Sequence, residues 1–161
     1  MNRIDKLIHD DKYVMCMKKI RSAEKDRRFC RHDLSHSMDV ARISYILDME
    51  ENLGFDKSVV YAMALLHDIG RCEEYENKVS HHRAGAELAR DILIRCGYDE
   101  TDTEAICSAI EQHKGPGDGD SERSLSNLLY RADKLSRNCF DCMAYDECYW
   151  TENKKNRGIV I

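Results

Sequence analysis

A single proline, Pro116, in a chain of 161 residues leaves nearly every segment free to be helical. Proline removes a backbone donor and clashes inside a helix, so its near absence lifts the strongest local bar to helix formation. Long stretches of mixed charged and apolar residues repeat at three- and four-residue spacing, the mark of amphipathic helices. No run of alternating β-branched residues reads as a strand. The pattern predicts an all-α fold with no internal repeat and no low-complexity segment.

The helical segments can be placed in turn. A first stretch covers roughly 4–26, with a break near Asp10-Asp11. A second runs over about 34–53 and stops at Gly54, and Asp56 or Ser58 caps a third that ends at His67-Asp68 before Gly70. The polar stretch 71–80 reads as a loop. Residues 81–96 form the next helix, with Gly97 as its stop. Asp99, Thr101 or Asp102 caps a helix reaching about His113, and 114–120 is the clearest loop. The last firm helix covers about 124–138, and the tail 139–161 is less regular. These pieces divide into a helical domain, 1–138, with N-terminal helices (1–27) packed on it, and a cysteine-bearing tail, 139–161. The apolar residues Ile4, Leu7, Ile8, Tyr13, Val14, Met15 and Met17 either cover the core or form a homodimer surface.

Composition narrows the function. A net charge of −5 argues against nonspecific nucleic-acid binding, which needs a basic face. No stretch approaches the ~20 apolar residues of a membrane span. The first residues lead into no apolar run of a signal peptide, so a cytoplasmic protein is expected. Its eight cysteines are then expected as free thiols or metal ligands rather than disulfides. Cys16, Cys30, Cys72, Cys96 and Cys107 are scattered and read mostly as small buried hydrophobes.

Ligand-type side chains fall at helix ends or on inward faces. His67-Asp68 closes the apolar run 59–66. A carboxylate at a helix C-terminus is unfavourable by roughly 0.3–1 kcal/mol, and a bound divalent cation reverses that sign. His36 shares a face with Val40, Ile43 and Leu47, while His113 follows Ile106 and Ile110 at helical spacing. Asp133 lies in the stripe of Leu125, Leu128, Leu129, Ala132 and Leu135, so its carboxylate is expected at least half buried, which is costly unless it is paired or bound to metal. His81 opens a helix and can turn back toward a common centre. Singly, each reads more simply as a core histidine, a cap or half of a salt bridge.

Taken in order, these residues resemble the HD-domain superfamily of metal-dependent phosphohydrolases. The matching pieces begin with His36-Ser37-Met38-Asp39-Val40-Ala41-Arg42 and Ala64-Leu65-Leu66-His67-Asp68-Ile69-Gly70-Arg71. They continue with 81–89, then Ala109-Ile110-Glu111-Gln112-His113 and Ala132-Asp133-Lys134-Leu135. The resemblance implies a helical bundle with a central metal site. It makes His36, His67, Asp68 and Asp133 the ligands of a first ion. His81 and His113 fill the positions that hold a second ion in dinuclear members, with Asp68 bridging. His81 rather than His82 has the family's offset from Gly85, which leaves His82 on the solvent or substrate side. His32, four residues before His36, is a competing ligand.

Such ligands suit Fe, Mn, Ni, Co or Zn. Two ions about 3.5–4 Å apart make water acidic enough to attack phosphorus in line. His67, Asp68, Arg71 and Lys134 are the expected catalytic residues, and Arg71, Lys114, Lys134 and Arg137 are the cations placed to hold substrate phosphate. The expected substrate is a small phosphate ester or anhydride, a nucleotide, as for the small dinucleoside tetraphosphate hydrolases. A mononuclear nucleoside monophosphate phosphatase is the nearest rival. Oxygen chemistry at a di-iron centre is a third reading, and a non-catalytic nucleotide-, metal- or redox-sensing domain is a fourth. The loop after His113 lacks the Gly-Tyr-Pro signature of the cyclic-dinucleotide phosphodiesterase branch. In the tail, Cys139, Cys142 and Cys148 have the spacing of a structural zinc or iron–sulfur site with one ligand missing, for which Cys30 or His32 are candidates.

Overall fold

The computed structural model describes residues 2–113 and 121–159. Eight α-helices follow one another among the described residues: α1 (Arg3–Ile8), α2 (Asp11–Ala23), α3 (Leu34–Glu51), α4 (Lys57–Leu66), α5 (Arg71–Asn77), α6 (His81–Cys96), α7 (Glu100–Gln112) and α8 (Leu125–Leu135). The expected all-α architecture is the one observed. The sequence places the helix starts by side-chain caps. Asp10, Asp33, Asp56, Asp99 and Ser124 each accept a hydrogen bond from an otherwise unpaired amide of the first turn. At the other ends, Asn52, Lys78 and Gly97 take the left-handed conformation that closes a helix.

α4 is the axis of the bundle. Seven of its ten residues are buried, Val59, Val60, Ala62, Met63, Ala64, Leu65 and Leu66. A helix apolar on nearly every side must be enclosed, and α4 is packed by α1, α3, α6, α7 and α8. α3 pairs with α4 and α8, and α6 pairs with α7. The N-terminal helices cover the core: Leu7, Tyr13, Cys16, Met17 and Ile20 are buried. Arg3 ties α1 across the bundle, donating to Asp102 (2.9 Å) and Ser58 (2.6 Å), with its guanidinium 4.4 Å from the centre of the Tyr98 ring.

Two sequence expectations are corrected. Residues 71–77 are helical rather than loop. α5 is polar because it buries only Cys72; it is held from outside, by Lys19 to Glu76 (2.8 Å) and by the Tyr75 hydroxyl on Glu24. Gly70 is not a left-handed stop. Its φ is −66°, and it opens α5. Its missing side chain matters for space, since a Cβ there would lie 2.0 Å from the His81 carbonyl oxygen and 2.4 Å from the Gly85 nitrogen. α6 can sit this close to the turn after α4 because Gly70 lacks a side chain. The loop 114–120, with Lys114, lies outside the described residues. No described helix is long and apolar enough to cross a membrane.

Candidate metal centre

The turn after α4 delivers His67 and Asp68 into the middle of the bundle. α3 brings His36 from one side and α8 brings Asp133 from the other. His67, Asp68, His113 and Asp133 are all buried. His36 Nε2 lies 3.4 Å from Asp133 Oδ1 and 3.6 Å from Asp68 Oδ2, and His67 Nε2 lies 2.9 Å from Asp68 Oδ2.

The histidines are locked by their other nitrogens. Nδ1–H of His67 donates to the Ala64 carbonyl (2.7 Å), and that of His113 to the Ile110 carbonyl (2.6 Å). His36 turns Nδ1 to Ser136 Oγ (3.4 Å), whose hydroxyl is itself given to the Asp133 carbonyl. His81 Nδ1–H donates to Glu74 (2.9 Å). A histidine fixed through Nδ1 offers the Nε2 lone pair, the arrangement that orients metal ligands. The buried Nε2 atoms of His36 and His67 have no hydrogen-bond partner among the described residues. Unsatisfied buried nitrogens beside two buried carboxylates fit a bound cation.

The electrostatics agree. Burial resists charge on His36, but Asp133 and Asp68 overcome it and raise the ring to about 9. Burial likewise resists the charge on Asp68, yet His67, His36 and Arg71 hold its carboxyl well below the usual range. Asp133 is lowered in the same way, against burial, by His36, His67 and the neighbouring Arg137 and Lys134. Positive charge is thus favoured between these carboxylates, and a metal ion would displace the proton held there. His113 is pushed down to about 3 by burial and by His67, so it stays a neutral imidazole able to coordinate.

Two groups of ligand atoms each lie within 4.8 Å of one another: His36, His67 and Asp133, and His81, His82 and His113. They adjoin through His67 and His113, whose ring centres are 5.4 Å apart. Asp68 reaches the first group through its contacts with His36 and His67. His82, expected on the solvent or substrate side, sits inside the second group, with its ring centre 4.4 Å from that of His113. Both histidines of the pair can enter because they lie in the first turn of α6. His32 is turned away onto Glu24, which accepts its backbone N–H (2.7 Å) and its Nδ1–H (2.6 Å). Glu24 itself carried no signal in sequence, since its burial depends on Tyr75 and His32 folding over it.

Cations surround the carboxylates. Arg71 Nε donates to Asp68 (2.8 Å), Lys134 to Asp133 (2.7 Å), and Arg137 to Asp133 (3.4 Å). Arg137 also lies 3.9 Å from the centre of the Trp150 ring of the tail. A cavity of about 140 Å³ opens here, lined by Arg27, Arg71, Arg137, His32, Tyr149 and Trp150 and also by Phe29, Cys30, Cys139 and Cys148.

An HD domain model matches residues 33–138, the segment that carries all of these ligands. The chain belongs to the HD domain family. A crystal structure of a predicted HD superfamily hydrolase from an uncultured Thermotogales bacterium has a similar fold, with a TM-score of 0.62 and 28% identity, covering 88% of this chain and 80% of that one. An uncharacterized protein of Clostridium beijerinckii is 42% identical over 156 residues, 97% of each chain. Ribonuclease Y of Acetivibrio thermocellus is 33% identical over 103 residues, which cover 64% of this chain but 17% of that protein. The family and the structural neighbour support metal-dependent phosphohydrolase chemistry in general terms.

Proposed function

We propose that this HD domain hydrolyses a phosphate ester or anhydride of a nucleotide, with two divalent ions at its centre. The observation that carries this reading is that two of the arginines lining the cavity, Arg71 and Arg137, reach the ligand carboxylates Asp68 and Asp133. Guanidinium groups bind phosphate oxygens through paired donors. His36, His67, Asp68 and Asp133 would hold one ion, and His81, His82 and His113, with Asp68 shared, the other. Arg71 and Lys134 fix the orientation of the two ligand carboxylates, while Arg27, Arg71 and Arg137 receive the remaining phosphate charge. Trp150 and Tyr149 line the same cavity. We propose a small-molecule substrate rather than a nucleic acid; the net charge of −5 supports this.

The test is a panel of dinucleoside polyphosphates, nucleoside monophosphates and a single-stranded RNA oligonucleotide, assayed with manganese, iron, cobalt, nickel and zinc. Turnover of a nucleotide, lost in His67→Ala and Asp68→Ala with helical content retained, is expected. Turnover undiminished in both variants would sink the site, and no turnover of any substrate would favour a sensing domain. RNA cleavage alone would move the reading toward the ribonuclease-like relatives. Activity that survives replacement of His81, His82 and His113 would select the mononuclear phosphatase.

A further inference from the structure

The described part of the tail buries almost nothing apolar. Of residues 139–159, Ala144 is the buried apolar side chain among the described residues, while Phe140, Met143 and Tyr149 are exposed. The tail's regular structure amounts to two single 3₁₀ turns, Cys139–Asp141 and Glu152–Lys154. A segment with so little hydrophobic burial cannot hold its place by packing, and short segments of this kind are commonly fastened by a metal or disulfides. All eight cysteines are free thiols. Cys16, Cys72, Cys96 and Cys107 are buried in the core as expected, but Cys30, in the link between α2 and α3, is not. It lines the arginine cavity with Cys139 and Cys148, and an adjoining one of about 140 Å³ together with Cys139, Cys142 and Cys148.

We propose that Cys30, Cys139, Cys142 and Cys148 bind one structural zinc ion that fastens the tail to the α2–α3 link. The three tail thiols have the Cys-x2-Cys spacing but one ligand too few, and the fold brings in Cys30 from more than a hundred residues away. Four thiolates select a soft, tetrahedral ion, and zinc is the structural choice. Each thiol passes its proton to solvent as its sulfur binds, and no electrons are exchanged. The resulting dianionic centre meets Arg28, Arg137 and Lys155, which line the same cavity. The ligand groups already within 4.8 Å of one another are those of the histidine centre; the thiols share a wall, and binding draws them together. The zinc would also secure Trp150 over Arg137, at the rim of the HD centre.

The test uses the full chain, purified without chelators. Organomercurial titration with a zinc-sensitive dye should release one zinc per chain in step with thiol modification. That zinc should persist in Asp68→Ala and be lost in Cys142→Ser and in Cys30→Ser. Cobalt(II) substitution should give thiolate-to-metal charge-transfer absorption, which histidine and carboxylate ligands do not produce. Full zinc retention in Cys30→Ser would overturn the four-thiolate set. A wild type that shows neither thiol-linked zinc nor cobalt charge transfer would overturn the site, even where the variants fail to fold. Iron with acid-labile sulfide would overturn zinc in favour of a cluster.

Discussion

Gly70→Ala probes the joint on which the second ligand group depends. The new methyl would meet three backbone atoms, His81 O at 2.0 Å, Gly85 N at 2.4 Å and Gly85 Cα at 2.8 Å. None of these is the end of a flexible side chain, so relief must come from moving α6. Restoring ordinary contact at 3.4 Å requires a retreat of about 1.4 Å at the His81 carbonyl. The expected cost is the upper end of the overpacking range, about 3 kcal/mol. For a domain of this size that lowers Tm by about 6–12 °C. The same shift carries His81 off Glu74 and away from His113, to which it is matched at 2.9 Å and a 5.8 Å ring separation. Affinity for the ion at His81, His82 and His113 should fall about 10–100-fold, as when an orienting partner is lost, while the ion at His36, His67 and Asp133 persists. Thermal melts and metal titration of Gly70→Ala beside wild type read both effects. An unchanged Tm with both ions bound at full affinity would refute the close-packing role given to Gly70.

Gly85→Ala should be milder, costing about 1 kcal/mol, the low end of overpacking, because its methyl meets the adjustable Ile110 Cγ2 at 3.3 Å; a larger Tm loss than in Gly70→Ala would contradict this. Burial opposes the charge of Glu24, but hydrogen bonds from His32 and Tyr75 lower it from 4.5 to about 2. A lowered carboxyl stabilises the fold above its unfolded value and loses that contribution as pH falls, so wild-type Tm should drop more steeply than that of Glu24→Gln between pH 4.5 and 2, and parallel curves would count against it. Arg137→Ala should raise KM for phosphate substrates by about tenfold, the effect of one charge-assisted hydrogen bond; an unaltered KM would remove Arg137 from the substrate. Asn156 donates to the carbonyls of Lys134 and Arg137 at 2.8 Å and closes the end of α8 from the tail; Asn156→Ala should cost about 1 kcal/mol, seen as a Tm lower by 2–4 °C.

Much of the bundle could be read from local chemistry. Asp56, Asp99 and Ser124 announce their helices because a side-chain cap acts within three residues, and α4 announces its central position by being apolar on nearly every face. The burial of Asp133 followed from the leucines around it on α8. What escaped was decided by distant parts of the chain. α5 has no apolar stripe and is ordered by contacts to α2, so its periodicity looked like loop. Gly70 stands where a helix stop is expected, but its role is to admit α6, which no neighbour in sequence reveals. Spacing from Gly85 favoured His81 and set His82 aside, although the first turn of α6 presents both rings to His113. Glu24 carries no signal in sequence, because its burial comes from His32 and Tyr75 closing over it. Cys30 reads in sequence both as a core cysteine and as one candidate for the missing tail ligand, and it is the return of the tail that places it beside three other thiols.

The most direct measurement is element-resolved metal content per chain, after anaerobic purification without chelators, for wild type beside Asp68→Ala. Two transition-metal ions above the thiol-bound zinc in wild type, both lost or sharply reduced in Asp68→Ala, are the predicted result. Equal metal content in the two proteins, before and after reconstitution with manganese, iron and nickel, would contradict a centre built on His36, His67, Asp68 and Asp133.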